Sequence, residues 1–167
     1  MIREQCGASV GSIYHHFGNK EAIGVALYIH AMNDYHSGLQ QLLLLAKNAK
    51  EGVKAITSSY IDWIVQNPEH ARFVLYSRGY LAKNATTEAF GLETKNNGNL
   101  LRESCTPYIK NGHIKSLPPE CYPSLLLGPA HDYARLWLSG RTRKSLQEFR
   151  EIFIDAAWNA VRTVCAG

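Results

Sequence analysis

The chain is expected to be all-α. A proline-free stretch at 20–47 repeats apolar residues in steps of three and four, Ser145 and Glu148 stand at capping-box spacing, and no strand-like alternation survives its surroundings. The 167 residues, 46% of them hydrophobic, suffice for one large domain or a small head on a larger body. Neither an internal repeat nor a low-complexity tract interrupts them.

The first element spans residues 6–20, Cys-Gly-Ala-Ser-Val-Gly-Ser-Ile-Tyr-His-His-Phe-Gly-Asn-Lys. Gly7 can stop the short helical stretch at 2–6, and Ser9 can cap the next helix by accepting a backbone N–H. In that next helix Ile13 and Phe17 stand four apart and share a buried face. Val10, Gly11, Tyr14, His15 and His16 are directed elsewhere. Gly11 permits close backbone approach, whereas Tyr14, His16 and Lys20 are donors suited to phosphate oxygens. The pattern is a turn and recognition helix of a helix-turn-helix, and its other reading is a packed helix with a polar side.

From residue 20 to 47 one long helix is expected, with Ile23, Leu27, Leu39, Leu42, Leu43 and Ala46 as its apolar positions. Gly38 can either permit a bend there or accommodate packing. The next helix starts near Gly52, carries Val53, Ile56, Tyr60, Trp63 and Ile64, and ends at Asn67-Pro68. A third begins at Pro68, which fits a first helical turn, and closes at Arg78-Gly79; residues 83–86 read as a loop. Residues 87–111 form a weaker helix, because Gly91, Gly98 and the Asn96-Asn97 pair lower propensity and Pro107 interrupts it late. Gly112 stops it, and Ser116-Leu117-Pro118-Pro119 turns the chain toward a terminal hairpin of helices at 119–138 and 145–164. That hairpin carries Leu125, Leu126, Pro129, Tyr133, Leu136 and Trp137, then Phe149, Ile152, Phe153, Ala156, Ala157 and Ala160. So much apolar surface suits self-association.

The order of residues over 7–23, Gly-Ala-Ser-Val-Gly-Ser-Ile-Tyr-His-His-Phe-Gly-Asn-Lys-Glu-Ala-Ile, resembles the DNA-binding signature of the TetR (tetracycline-repressor) family of bacterial regulators. The hairpin segment 128–141 resembles the corresponding part of those regulators more loosely. The resemblance implies that Tyr14, His16 and Lys20 clamp phosphates and that Ser9, Val10, Gly11 and His15 face the bases. It also implies a first helix and a complete second helix before the turn. Met1 falls inside the second, so the head is expected to be incomplete and DNA binding by the 167 residues to be poor. Residues 1–30 are then a partial DNA-binding head, and 31–167 a helical ligand-binding and dimerisation domain. The long helix would link the two.

The aromatic set Tyr60, Trp63, Phe73, Tyr76, Phe90 and Tyr108 can line an apolar cavity between helices or simply pack as core. Since the resemblance implies an effector pocket in this middle bundle, Tyr60, Trp63, Phe73, Tyr76, Tyr108 and His131 are the candidate ligand contacts. His131 also reads as a core or interface histidine. The expected partners are double-stranded operator DNA, a small apolar or aromatic effector and a second copy of the chain.

A net charge of +4 is compatible with a polyanionic partner but too mild to identify one. Cys6, Cys105, Cys121 and Cys165 form no C-x-x-C pair and no zinc spacing, so they read as buried thiols in a reducing cytoplasm, with no metal or cofactor expected. No apolar run reaches the ~20 residues of a membrane span. Catalysis is not expected, because His131 and Asp132 are adjacent and face different sides of a helix, and no nucleophile, phosphate-loop or metalloprotease motif occurs. The sequence therefore predicts a transcriptional regulator, with a repressor freed from its operator by an effector as the first reading. A dimeric ligand-binding module without DNA activity is the alternative.

Overall fold

The computed structural model describes residues 19–84 and 88–164. Ser9, Val10, Gly11, Tyr14, His15 and His16 lie outside the described residues, as do Cys6 and Cys165. Among those described, six α-helices follow one another: α1 Lys20–Leu45, α2 Ala49–Gln66, α3 Pro68–Asn84, α4 Glu88–Lys110, α5 Cys121–Leu138 and α6 Arg150–Val161, the last preceded by a 3₁₀ turn, Leu146–Phe149. The only bridge of strand type among them is an isolated one, between Ile114 and Arg162.

Local chemistry accounts for the boundaries. Asn19 caps α1 by accepting from Ala22 N at 2.8 Å, and Asn48 caps α2 by accepting from Glu51 N at 3.0 Å. The expected capping box is present, with Gln147 N donating to Ser145 Oγ at 3.2 Å and Ser145 N to Glu148 Oε1 at 2.8 Å. Gly112 and Gly140, at φ +72° and +76°, end α4 and α5 in the left-handed region that glycine enters without strain. Pro107 sits inside α4, where Asn111 N still donates to Pro107 O at 3.1 Å. Two expectations need correction. Helix α3 does not close at Arg78-Gly79 but runs to Asn84, because the turn beyond Gly79 packs on α1, with Leu81 buried and Tyr80 bonded to Glu21. Gly79 lowers propensity by only about 1 kcal/mol, which the neighbouring turns absorb. The hairpin's first helix starts at Cys121, after both prolines.

Helix α2 is the centre. Its buried residues include Val53, Ile56, Ile61, Trp63 and Ile64, and also Thr57, Ser58 and Ser59. The three hydroxyls are satisfied: Thr57 donates to Leu126 O of α5 at 3.1 Å, Ser58 to Ala55 O at 3.4 Å and Ser59 to Ile56 O at 3.0 Å. At the start of α2 a Cβ on Gly52 would stand 2.8 Å from Tyr108 Cε2, so the absence of a side chain there lets α4 approach. Arg150 clamps Asp62 through two bonds of 3.0 Å, tying α6 to α2. Tyr133 packs against the rings of Phe149 and Phe153 at 5.2 and 5.6 Å, closing the α5–α6 hairpin.

Burial sets the stability scale. Ile64→Ala, at a fully enclosed position, is expected to lower unfolding free energy in urea by about 2–5 kcal/mol. Leu44→Ala, at a site 86% exposed, should change it by less than about 0.5 kcal/mol. Equal losses would show that α2 is not the packing centre.

Candidate functional site: the start of α1 and the aromatic interior

Lys20 is the one sequence-predicted DNA contact among the described residues. It is exposed and opens α1, directly after the Asn19 cap. One turn of helix is held from the body side as well: Tyr80 Oη of α3 donates to Glu21 Oε1 at 2.7 Å. That bond, first among the causes, holds the Glu21 carboxyl below the usual carboxylate range. Neither Tyr80 nor Glu21 was singled out in the sequence, since a contact between residues so far apart in the chain leaves no local signal.

A groove of about 1160 Å³ lies between the first half of α1 and α3. Leu27, Phe73, Tyr76 and Leu81 give it an apolar wall, Lys20 stands at its margin, and Ser77 contributes a buried Oγ with no hydrogen-bond partner. Phe73 and Tyr76 are thus brought to one surface, with Tyr76 about half exposed and its hydroxyl donating to Arg135 O at 3.2 Å.

The other candidate ligand residues lie elsewhere. Tyr60 on α2 meets His131 on α5, with 2.8 Å between Oη and Nδ1 and rings stacked at 6.2 Å. Tyr35 of α1, which the sequence reading passed over, packs its ring 5.9 Å from those of both Tyr60 and Trp63. Trp63 in turn donates to Asp34 Oδ2 at 2.8 Å. Four residues of three helices therefore form one aromatic interior. Tyr108 is not part of this network and packs over Gly52, and Phe90 packs against Tyr28 at 5.0 Å.

Burial pushes the Tyr60 hydroxyl well above the usual phenol range, and it does the same to Tyr35. Tyr35 Oη lacks a well-aligned hydrogen-bond partner; Ser59, the hydroxyl near enough to influence it, donates to Ile56 O. His131 is lowered from 6.5, chiefly by burial, with Arg135 and Arg78 adding to the effect and Asp132 opposing it. A protonated Tyr60 facing a neutral imidazole assigns the bond: Tyr60 donates, Nδ1 accepts, and the ring proton sits on Nε2. Protonating His131 would remove that acceptor. Cys105 is buried and its thiol is raised to about 11, while Cys121 is half-buried. The arrangement suits packing and small-molecule recognition, and no step of covalent chemistry follows from it.

Residues 1–27 match the family model of bacterial regulatory proteins of the tetR family. The match covers those 27 of the 167 residues. Three solved structures share the fold. The transcriptional regulator FadR from Bacillus subtilis, in complex with stearoyl-CoA, is 19% identical, with a TM-score of 0.79 over 96% of this chain and 87% of that one. A TetR family transcription regulator from Marinobacter aquaeolei VT8 is also 19% identical, with a TM-score of 0.75 over 98% and 83%. The fatty acid degradation regulator FadR from Bacillus halodurans is 16% identical, with a TM-score of 0.75 over 96% and 87%. No curated protein matches the chain. The residues that match this family model thus lead into an all-α body that shares the fold of these three structures.

The histidine makes the interior pH-sensitive. A lowered folded-state value means that the unfolded chain takes up the proton first, so stability is full above 6.5 and falls as the pH drops below it. The melting temperature should therefore decline from neutral pH to pH about 5, and His131→Gln should flatten that decline. An unchanged slope in the variant would remove His131 from the network.

Proposed function

We propose that the protein is a DNA-binding transcriptional regulator of TetR type, acting as a repressor that leaves its operator when a small molecule occupies the body. The observation that carries this reading is the signature at 7–23 running directly into α1, whose first residue is Lys20. In this reading Tyr14, His16 and Lys20 hold phosphates, and Ser9, Val10, Gly11 and His15 read base edges. The division at residue 30 then falls within α1, which continues unbroken from head to body.

The effector is apolar or aromatic and binds beside α1. Support comes from the groove against α3, where Phe73, Tyr76, Leu27 and Leu81 offer apolar surface and Ser77 an unused hydroxyl. An acyl chain such as that of the stearoyl-CoA held by the Bacillus subtilis regulator has the chemistry this wall accepts. Tyr60, Trp63 and His131 belong to the aromatic interior away from this groove, and Tyr108 packs over Gly52. A ligand that wedges α1 from α3 would act on the Tyr80–Glu21 bond, one residue from Lys20.

Two copies assemble through α5 and α6. Ile152 is 63% exposed and Leu136 37%, and Ala156, one turn beyond Ile152, is exposed with them. An apolar stripe on both helices of the hairpin suits a two-fold four-helix interface, with the half-buried Phe153 packed against Tyr133 beside it. A two-fold pair of heads matches a near-palindromic operator. The expected absence of catalysis follows from this reading, as does a cytoplasmic location beside the DNA. No helix among the described residues is long and apolar enough to cross a membrane.

Fluorescence anisotropy with duplex DNA, on a version carrying the helices that the resemblance implies before the turn, tests the proposal. Lys20→Ala should weaken binding to all sequences alike and reduce the slope of log affinity against log salt by about one unit, whereas His15→Ala should change base preference. Identical behaviour of the two variants would count against the assigned roles. Absence of DNA binding together with effector binding would favour the ligand-binding module.

A further inference from the structure

The charges around the groove between α1 and α3 say more about its occupant than its apolar wall does. Leu27 is 40% exposed and Tyr76 and Tyr80 are each 48% exposed, so three large side chains of two adjacent helices face one open space. Single apolar residues are ordinary at a surface, but a contiguous group along a concave wall marks a place that something covers. From Lys20 to His30 that wall follows α1 for about 15 Å, at 1.5 Å per residue.

Most polar groups of the lining are already engaged by the protein. Tyr80 Oη donates to Glu21 Oε1 at 2.7 Å, and Tyr76 Oη to Arg135 O at 3.2 Å. Arg72 gives Nη1 to Glu69 Oε1 at 2.8 Å and gives Nε and Nη2 to Leu138 O at 3.2 and 3.0 Å, so this acid and this cation of the lining neutralise each other. Ser77 Oγ is already shut off from water without a partner, and a chain laid over it adds no further desolvation cost. Lys20 differs. Among the described residues no ion pair includes it, and Glu21, next in the chain, feels its charge but holds Tyr80 instead. A lysine stem lies along apolar surface while its ammonium reaches past the edge. The complement of this groove is an apolar body with one anionic end.

We propose that the groove takes an apolar carboxylate, its chain against Leu27, Phe73 and Leu81 and its carboxylate paired with Lys20, so that the ligand and a DNA phosphate compete for one ammonium. The proposal deepens the effector reading above and rests on it: to any shift of α1 it adds the loss of a phosphate contact at the helix's first residue. An uncharged apolar molecule would fill the same wall and leave Lys20 to the DNA.

Isothermal calorimetry on the full chain, with octanoate and 1-octanol as probes, tests the pairing without DNA. Octanoate affinity should fall from wild type to Lys20→Ala to Lys20→Glu, by about two- to fivefold at each step, the scale of a partly exposed ion pair, while 1-octanol affinity stays level. Lys20 is exposed, so each variant should keep the circular dichroism of wild type. Added salt should weaken octanoate and spare 1-octanol, a reading that needs no variant. Leu27→Asp should weaken both probes, and Leu44→Asp, at an exposed site elsewhere on α1, should weaken neither. An octanoate affinity level across the Lys20 series, or lost in His70→Ala instead, would overturn the proposal, with 1-octanol binding still upholding the apolar groove. Binding of neither probe would overturn both. On the version carrying the helices implied before the turn, saturating octanoate should lower the slope of log DNA affinity against log salt by about one unit, and should lower it no further in Lys20→Ala. An unchanged slope would overturn the competition. Absence of DNA binding would fall on the regulator reading, since the calorimetry contains no DNA.

Discussion

Everything described here hangs on the burial of α2. Helix α2 leaves only Lys50, Glu51, Lys54 and Gln66 exposed, so each polar group on its buried sides must find a partner within the protein. Thr57, Ser58 and Ser59 meet that demand with carbonyl acceptors, and Trp63 with Asp34. Those same bonds fix the neighbours: Thr57 reaches α5, Trp63 reaches α1, and Asp62 holds Arg150 of α6. The small side chain of Ser or Thr lets helices come close, and Gly52 does the same for Tyr108.

This arrangement gives α1 two roles. Its middle, from Tyr28 to Leu39, contributes Tyr28, Ala31, Met32, Tyr35 and Leu39 to the core. Its start is held more lightly, by the Asn19 cap and the Tyr80–Glu21 bond at the surface. A helix firmly seated along one half and lightly held at the other can carry a change in the body to the residues before it. An apolar groove flanks it on the α3 side, where an occupant would act on the lightly held end.

Much of the fold was legible because punctuation is local. Asn67-Pro68, Gly112, Gly140 and the Ser145 box each act within a turn or two, and a reader of the sequence sees the whole device. Gly79 misled for the complementary reason: whether a glycine ends a helix depends on what the next turn packs against, and here Tyr80 and Leu81 hold that turn to α1. The DNA signature was legible as an order of residues. The interior was legible only in part, since aromatic type picks out Tyr60 and Trp63 but cannot say that Tyr35 joins them or that Phe73 and Tyr76 face a different space. Glu93 gave no signal at all. On α4 its polar neighbours Asn96, Asn99 and Glu103 are a solvated face, and Glu93 alone among them is buried.

The central claim is that this body serves a DNA-reading head. Enrichment of duplexes from a random pool by a version of the protein carrying the helices that the TetR resemblance implies before the turn, followed by sequencing, tests it most directly. The account predicts recovery of two short half-sites related by a two-fold axis, spaced for a dimer. Failure to enrich any sequence over repeated rounds, or enrichment of single half-sites without symmetry, would contradict it.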